Sequence, residues 1–164
     1  MQGIMFNDRF GLESAVLKGT KTRTWRADAQ PRYEVGEVVA IKQCYKDVMN
    51  YTFYNDKKLY EKVCNLMNEV GATNKMFVKN ELMPHQIRIT AVKKCRLQDL
   101  TEEECIKEGV RRESVFCYLS GKGKTQRKFI TATLAFYYLI RKLNGNGYWE
   151  GNPDGYAYEF ELVK

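Results

Sequence analysis

The residue types for nucleophilic catalysis are concentrated in eight consecutive positions near the start of the chain. Residues 19–26 have the sequence GTKTRTWR, with three hydroxyls and three cations. A threonine hydroxyl becomes a nucleophile when a neighbouring base takes its proton, and a lysine is such a base when its amine is neutral. Burial and the like charges of Arg23 and Arg26 would lower the pKa of Lys21 towards that state. The segment therefore suits either nucleophilic chemistry or the binding of an anion.

The local pattern around these residues predicts a sharp turn from a helix into a strand. Gly19 can adopt the left-handed conformation that ends a helix, and the residues after Lys21 alternate as a strand does. Lys21 and Thr24 are an odd number of positions apart, so they converge only if Lys21 belongs to the turn. Thr22, Thr24 and Arg26 share one side of the strand and would line a pocket for an oxyanion or a phosphate.

A second candidate is a glutamate near the end of a short helix. Thr101 and Glu104 have the spacing of a capping box, which predicts the start of that helix, and Gly109 predicts its end. Glu108 precedes Gly109, where the negative end of the helix dipole makes an unpaired carboxylate slightly unfavourable. Glu108 is expected either to meet solvent at the helix end or to have a cationic partner such as Lys21.

Composition sets the class of protein. The chain has 164 residues, 44% of them hydrophobic and 29% charged, which predicts one globular domain over residues 1–164. The net charge of +7 favours nucleic acid or nucleotides as partners ahead of a membrane surface. Five cysteines without a Cys-x-x-Cys pair, and a start without a signal-peptide pattern, predict a reducing cytoplasm. One histidine, and no apolar run near the ~20 residues of a membrane span, predict neither a metal site nor a membrane segment, and no other cofactor is expected.

Hydrophobic periodicity predicts a mixed α/β chain of the α+β class. Apart from the strand after Gly19 and the helix before Gly109, the expected elements are strands at 3–6, 37–45, 86–97 and 156–163, helices at 9–18 and 130–143, and a polar helical insertion at about 46–85. Residues 115–119 form a brief apolar run. The helical segments are too irregular for repeated parallel crossovers. We therefore expect a mainly antiparallel, barrel-like sheet that contains 22–25, 37–45, 86–97 and 156–163.

One glycine-rich segment imitates a phosphate loop. Residues 121–125 read GKGKT, but the pattern also needs a glycine at the position of Tyr118. A cationic loop is the better interpretation, and Lys124 becomes a candidate contact to nucleic acid.

Several of these segments together resemble the ASCH-domain family, whose fold is a PUA-like β-barrel. The resembling parts are the helix 10–17, the motif Gly-x-Lys-Thr-x-Thr-x-Arg at 19–26, the strand 33–39, the helix 100–109 and the tail 149–160. They cover most of the chain outside the insertion, and the length and ending are similar to the longer bacterial and phage members. Those members usually have a bulky aromatic residue where this chain has Asp154 and Gly155.

The resemblance implies an RNA- or nucleotide-related function. Small bacterial members with this motif include amidohydrolases that remove the acetyl group from acetylated cytidine. Carried over by motif, Lys21 corresponds to the base, Thr24 to the nucleophile and Glu108 to the catalytic carboxylate, which can return a proton to the leaving amine. The expected contacts to substrate or nucleic acid are Gly19, Thr22, Arg23, Arg26 and Lys124.

Two other functions remain open at this point. A binding module for RNA without chemistry would use the basic balance of residues 18–32, where five cations face Asp28 alone, and some of the eleven tyrosines for base stacking. A metal-dependent ribonuclease would need clustered carboxylates, whereas Glu102, Glu103 and Glu104 occupy consecutive helix positions that diverge around the axis.

Overall fold

A computed structural model of the chain describes residues 1–119 and 126–163. Helices and strands are mixed along the chain, which confirms the α+β class. The strands are β1 (Gly3–Ile4), β2 (Arg23–Arg26), β3 (Val38–Ile41), β4 (Gln86–Arg96), β5 (Arg111–Glu113), β6 (Phe116–Leu119), β7 (Arg127–Phe129) and β8 (Asp154–Leu162). The helices are α1 (Leu12–Leu17), α2 (Tyr45–Asn55), α3 (Lys57–Cys64), α4 (Glu102–Lys107) and α5 (Ala132–Asn144). The segment 121–125, with Lys124, lies outside the described residues.

The larger sheet has five strands in the order β1-β3-β4-β8-β2. β1 is parallel to β3, whereas β3 pairs with β4 and β2 pairs with β8 in antiparallel fashion. All four predicted β runs therefore lie in one mainly antiparallel sheet. The expected barrel is wrong, because β1 and β2 stand at the two ends and no pairing among the described residues joins them. A barrel requires continuous hydrogen bonding around tilted strands, and a two-residue edge strand offers few groups for it.

The chain divides into two compact units. The first unit comprises residues 1–6, 38–88 and the end of the chain from Leu162. It contains α2 and α3, and Asp56 caps α3 by accepting a hydrogen bond from the Leu59 amide at 2.9 Å. The core of this unit consists of Ala40, Tyr45, Val48, Val63, Val78 and Met83.

The second unit comprises residues 7–37 and the described part of 89–161. α1 begins three residues later than predicted, at Leu12, because Gly11 before it has a left-handed φ of 66°. α5 begins at Ala132, where the hydroxyl of Thr131 accepts a hydrogen bond from the Leu134 amide. A separate antiparallel sheet of β5, β6 and β7 packs against α5. The part of the chain that the structure describes has no helix long and apolar enough to cross a membrane.

Candidate functional site

Lys21 lies in a turn between α1 and β2. The turn is closed by backbone hydrogen bonds from Lys21 to the carbonyl of Ala15 and from Thr22 to the carbonyl of Lys107, both at 3.0 Å. Gly19 opens the turn with a φ of 70°, a conformation that side chains other than glycine rarely adopt. Residues an odd number of positions apart face opposite sides only within a regular strand. Lys21 precedes β2, so its side chain is not forced to the side opposite Thr24.

The amine of Lys21 is surrounded by oxygen acceptors. Its Nζ donates to the carbonyl of Arg23 at 2.6 Å, to the carbonyl of Glu108 at 2.7 Å and to Oε2 of Glu108 at 2.9 Å. Lys21 is 2% exposed and Glu108 is 4% exposed. An ammonium group has three protons, so these three bonds match its full donor capacity. The structure therefore brings Lys21 and Glu108 together as a buried ion pair.

Glu108 occupies the residue that ends α4, and the following glycine determines how closely Lys21 approaches. Gly109 has a φ of 107°, and a Cβ built there would lie 3.0 Å from Leu12 and 3.3 Å from the Lys21 side chain. A larger residue would thus strain the backbone and displace Lys21. The Lys21 cation also offsets the unfavourable position of a carboxylate at a helix C-terminus.

Burial is the largest influence on the pKa of Lys21. Burial lowers the pKa of Lys21, the Glu108 carboxylate opposes this effect, and the positive charges of Arg26 and Arg23 lower the pKa further. The net direction is below the ordinary value of 10.5. Oε1 of Glu108 is buried and has no hydrogen-bond partner among the described residues. Buried carboxylate oxygens are normally hydrogen-bonded, so the lack of a partner for this atom is unusual.

Thr24 lies beside the pair but does not bond to it. It is buried in β2, directly opposite Tyr158 of β8. The described residues record no hydrogen bond from the Thr24 hydroxyl to the Lys21 amine or the Glu108 carboxylate. The Lys21 amine nevertheless binds the carbonyl of the peptide that joins Arg23 to Thr24.

Arg23 is buried and is bound to carboxylates of the protein itself. Its Nη1 contacts Oε1 of Glu104 and lies 3.5 Å from Oε1 of Glu159. Burial raises the pKa of Glu104, but the Thr101 amide and the Arg23 charge lower it below its ordinary 4.5. The charge of Arg23 is therefore paired within the protein.

The other predicted binding residues have different environments. Gly19 is exposed, whereas Thr22 and Arg26 are half-buried. Arg26 follows Thr24 on the same side of β2, and its charge acts on Lys21. Lys124 lies outside the described residues.

Tyr158, which the sequence does not single out, lies directly opposite Thr24. The hydroxyl of Tyr158 donates to Oδ2 of Asp28 and accepts from the Arg32 amide, both at 2.9 Å. Burial raises the pKa of this phenol to about 12, so it remains a donor at neutral pH. Tyr33 packs edge-on against its ring, with centroids 5.2 Å apart. The alternating aromatics of the last strand signal a buried face, but only the strand register reveals which residue meets Thr24.

The three consecutive glutamates of α4 do not form a metal site. Glu102 accepts hydrogen bonds from the amides of Ala132 and Thr133, each at 2.8 Å, and so caps α5. Glu104 binds the Thr101 amide and Arg23, while Glu103 is exposed. Over residues 1–119 and 126–163, no three histidine, cysteine or acidic side chains are placed to hold a metal ion.

The single histidine belongs to the first unit. Its Nδ1 is 2.6 Å from Oε1 of Gln43, and its ring packs against Tyr51 with centroids 4.4 Å apart. Burial lowers the pKa of His85, which favours the neutral ring.

Comparisons of the chain with protein-family models, with curated proteins and with solved structures gave no significant match.

Proposed function

We propose that this protein is an amidohydrolase-like enzyme of the ASCH type that removes an acetyl group from a modified nucleoside such as N4-acetylcytidine. The observation that carries the proposal is the buried pair of Lys21 and Glu108, in which the lysine pKa is lowered and one carboxylate oxygen lacks a partner. The family assignment, the cytoplasmic location and the nucleoside substrate are parts of the proposal, and they rest on the motif residues and the net charge of +7.

The first chemical step is the attack of Thr24 on the acetyl carbonyl. Lys21 first passes one proton to Oε2 of Glu108 across their 2.9 Å bond, and its neutral amine then takes the proton of the Thr24 hydroxyl as the oxygen forms a bond to the carbonyl carbon. The buried surroundings favour the neutral amine that this step needs. Catalytic hydrogen bonds are often long before substrate binds, so the missing contact between Thr24 and Lys21 is compatible with this role.

The second step is the departure of the nucleoside amine. Glu108 delivers its proton to the amine nitrogen as the C–N bond breaks, and the proton that Lys21 took from Thr24 then passes along the 2.9 Å bond to Oε2 of Glu108. Water then attacks the acetyl-threonine, assisted by the same pair, and acetate leaves. The balance is one amide and one water converted into one amine, one acetate and one proton.

Acetate release from N4-acetylcytidine tests the proposal. Lys21→Ala, Thr24→Ala and Glu108→Ala are each expected to lower the rate by about 100- to 10,000-fold, the usual contribution of a positioned acid, base or nucleophile. Thr24→Ser keeps the hydroxyl and should retain activity, whereas Lys21→Arg keeps the charge and removes the base. Circular dichroism of each variant separates lost chemistry from lost folding. An inert wild type, or full activity in Lys21→Ala, would reject the enzyme.

The second candidate function is an RNA-binding module without chemistry. The net charge of +7 favours it. Its predicted contact surface at residues 18–32 is less basic than the sequence implies, because Arg23 is paired with Glu104 and Arg32 with Asp28 at 2.9 Å. If wild type is inert towards acetylated nucleosides but binds RNA with a steep dependence on salt, this function replaces the enzyme.

A further inference from the structure

The sheet of β5, β6 and β7 has one buried side and one side with aromatic and basic residues. Cys117 and Leu119 of the central strand are 1% and 3% exposed. Arg127 lies directly opposite Leu119, and its guanidinium is 4.7 Å from the ring centroid of Tyr138 in α5. The side of Cys117 and Leu119 is therefore the side that faces α5.

The opposite side presents the two aromatic rings of the central strand. Phe116 and Tyr118 alternate with the buried residues, and both are half-buried rather than covered. Two positions along a strand correspond to roughly 6.8 Å, so the rings stand side by side on one surface. We call this surface the aromatic face; its residues are Arg111, Glu113, Phe116, Tyr118 and Lys128.

Cations from both outer strands lie over these rings. Arg111 and Lys128 are directly opposite Tyr118 on its two sides. The Arg111 guanidinium is 5.8 Å from the ring centroid of Tyr118, and the Lys128 ammonium is 3.4 Å from that of Phe116. Glu113 is the one acidic member and binds Arg111 at 3.0 Å. The aromatic face thus has two cations, one carboxylate and two half-buried rings, each with a cation beside it.

We propose that the aromatic face binds single-stranded nucleic acid, with bases stacked on Phe116 and Tyr118 and phosphates bound by Arg111 and Lys128. Every base has a π-surface that stacks on an aromatic ring, and a stacked base contributes more than an exposed cation-π contact. An incoming base therefore displaces the Lys128 ammonium from its ring and leaves it beside the phosphate chain. An acidic peptide would use the cations but not the rings, and the net charge of +7 opposes the approach of a second copy.

The first test measures stacking. The probe is a fluorescently labelled, unstructured RNA of about 12 nucleotides, within the range that one binding module covers, and fluorescence anisotropy gives the Kd. Phe116→Ala and Tyr118→Ala should each weaken binding about tenfold, which is about 1.4 kcal/mol, whereas Tyr118→Phe should bind as wild type does. Tyr54→Ala is the matched control, because Tyr54 is 86% exposed and lies on α2 rather than on this sheet. The same sequence as an RNA duplex should bind more weakly, since paired bases cannot stack on the rings.

The second test measures the phosphate contacts. Arg111→Gln and Lys128→Gln should each reduce the slope of log Kd against log salt by about one, measured between roughly 50 and 200 mM salt. Lys57→Gln removes an equal charge from an exposed position on α3 and should leave the slope unchanged. The proposal is overturned if wild type does not bind the probe, if both alanine variants bind as wild type does, or if duplex binds as tightly.

These measurements are independent of the proposed enzyme. Binding is read without an acetylated substrate, so an inert enzyme leaves the test intact. If acetate is released from the free nucleoside, Tyr118→Ala should release it at the wild-type rate, because its ring lies outside the Lys21 and Glu108 pair.

Discussion

The buried ion pair makes a prediction about stability that needs no assumption about function. Lys21 and Glu108 are 2% and 4% exposed, and their charged atoms are 2.9 Å apart. We consider Lys21→Met and Glu108→Gln, which remove each charge with little change in side-chain volume, and the double variant. Lys107 and Glu159 form the control pair: they are 3.3 Å apart and are 46% and 37% exposed.

The two single variants are expected to differ in cost. Lys21→Met leaves the buried Glu108 carboxylate and two backbone carbonyls without their donor. Breaking a buried pair in this way costs about 3–5 kcal/mol of unfolding free energy. Glu108→Gln retains the two carbonyl contacts and an amide oxygen as the third acceptor, so the loss should be about 1–3 kcal/mol. The double variant should lose less than the sum, since neither buried charge then remains.

Urea denaturation followed by tryptophan fluorescence measures these costs. The urea concentration at the midpoint should shift, while the slope m of unfolding free energy against urea concentration stays constant. This combination indicates a change in stability rather than in the unfolded state. The coupling energy from the double-mutant cycle should be at least about 1 kcal/mol for Lys21 and Glu108, and below about 1 kcal/mol for the exposed control pair. The reasoning fails if Glu108→Gln costs as much as Lys21→Met, or if the two costs are additive.

Three further predictions concern pH and backbone strain. Because the pKa of Lys21 is lowered on folding, the unfolded state binds more protons between that pKa and 10.5. The unfolding free energy of wild type relative to Lys21→Met should therefore rise with pH in that window. A difference in urea denaturation that does not change with pH would contradict a lowered pKa of Lys21. Burial raises the pKa of Glu102, but the hydrogen bonds from Thr133 and Ala132 lower it more, to below 4.5. The stabilisation by the Glu102 carboxylate should be present above pH 4.5 and lost as the pH falls through the pKa of Glu102 in the folded protein. The difference in Tm between wild type and Glu102→Gln should therefore vanish in acid. Gly109→Ala should lower the unfolding free energy by about 1–3 kcal/mol through its left-handed φ. Gly145→Ala should cost less unfolding free energy, because the Cβ added at Gly145 meets nothing within 4 Å. If Gly109→Ala and Gly145→Ala shift Tm equally, the contacts of a Cβ at Gly109 with Leu12 and Lys21 have no effect on stability.

Local patterns in the sequence predicted much of the framework. The four β runs lie in one sheet, and α4 begins with the predicted capping box of Thr101 and Glu104. Gly19 and Gly109 both have the positive φ expected of glycines that end helices. These features depend on neighbouring residues along the chain, so periodicity and capping chemistry are sufficient to predict them.

The partners of the charged side chains are known only from the tertiary structure. Arg23 looks like a free cation in the sequence, but in the fold it is buried against Glu104, and Glu102 caps a helix that begins thirty residues later. No local pattern distinguishes these partners, because each contact joins residues far apart in sequence. The same applies to Lys21 and Glu108: a glutamate at the negative end of a helix suggested a cationic partner, but only the packing of the turn against α4 gives the distance, the burial and the unpartnered oxygen. Residue type and spacing determined which groups are available for chemistry, and desolvation by the folded chain decided which of them are paired.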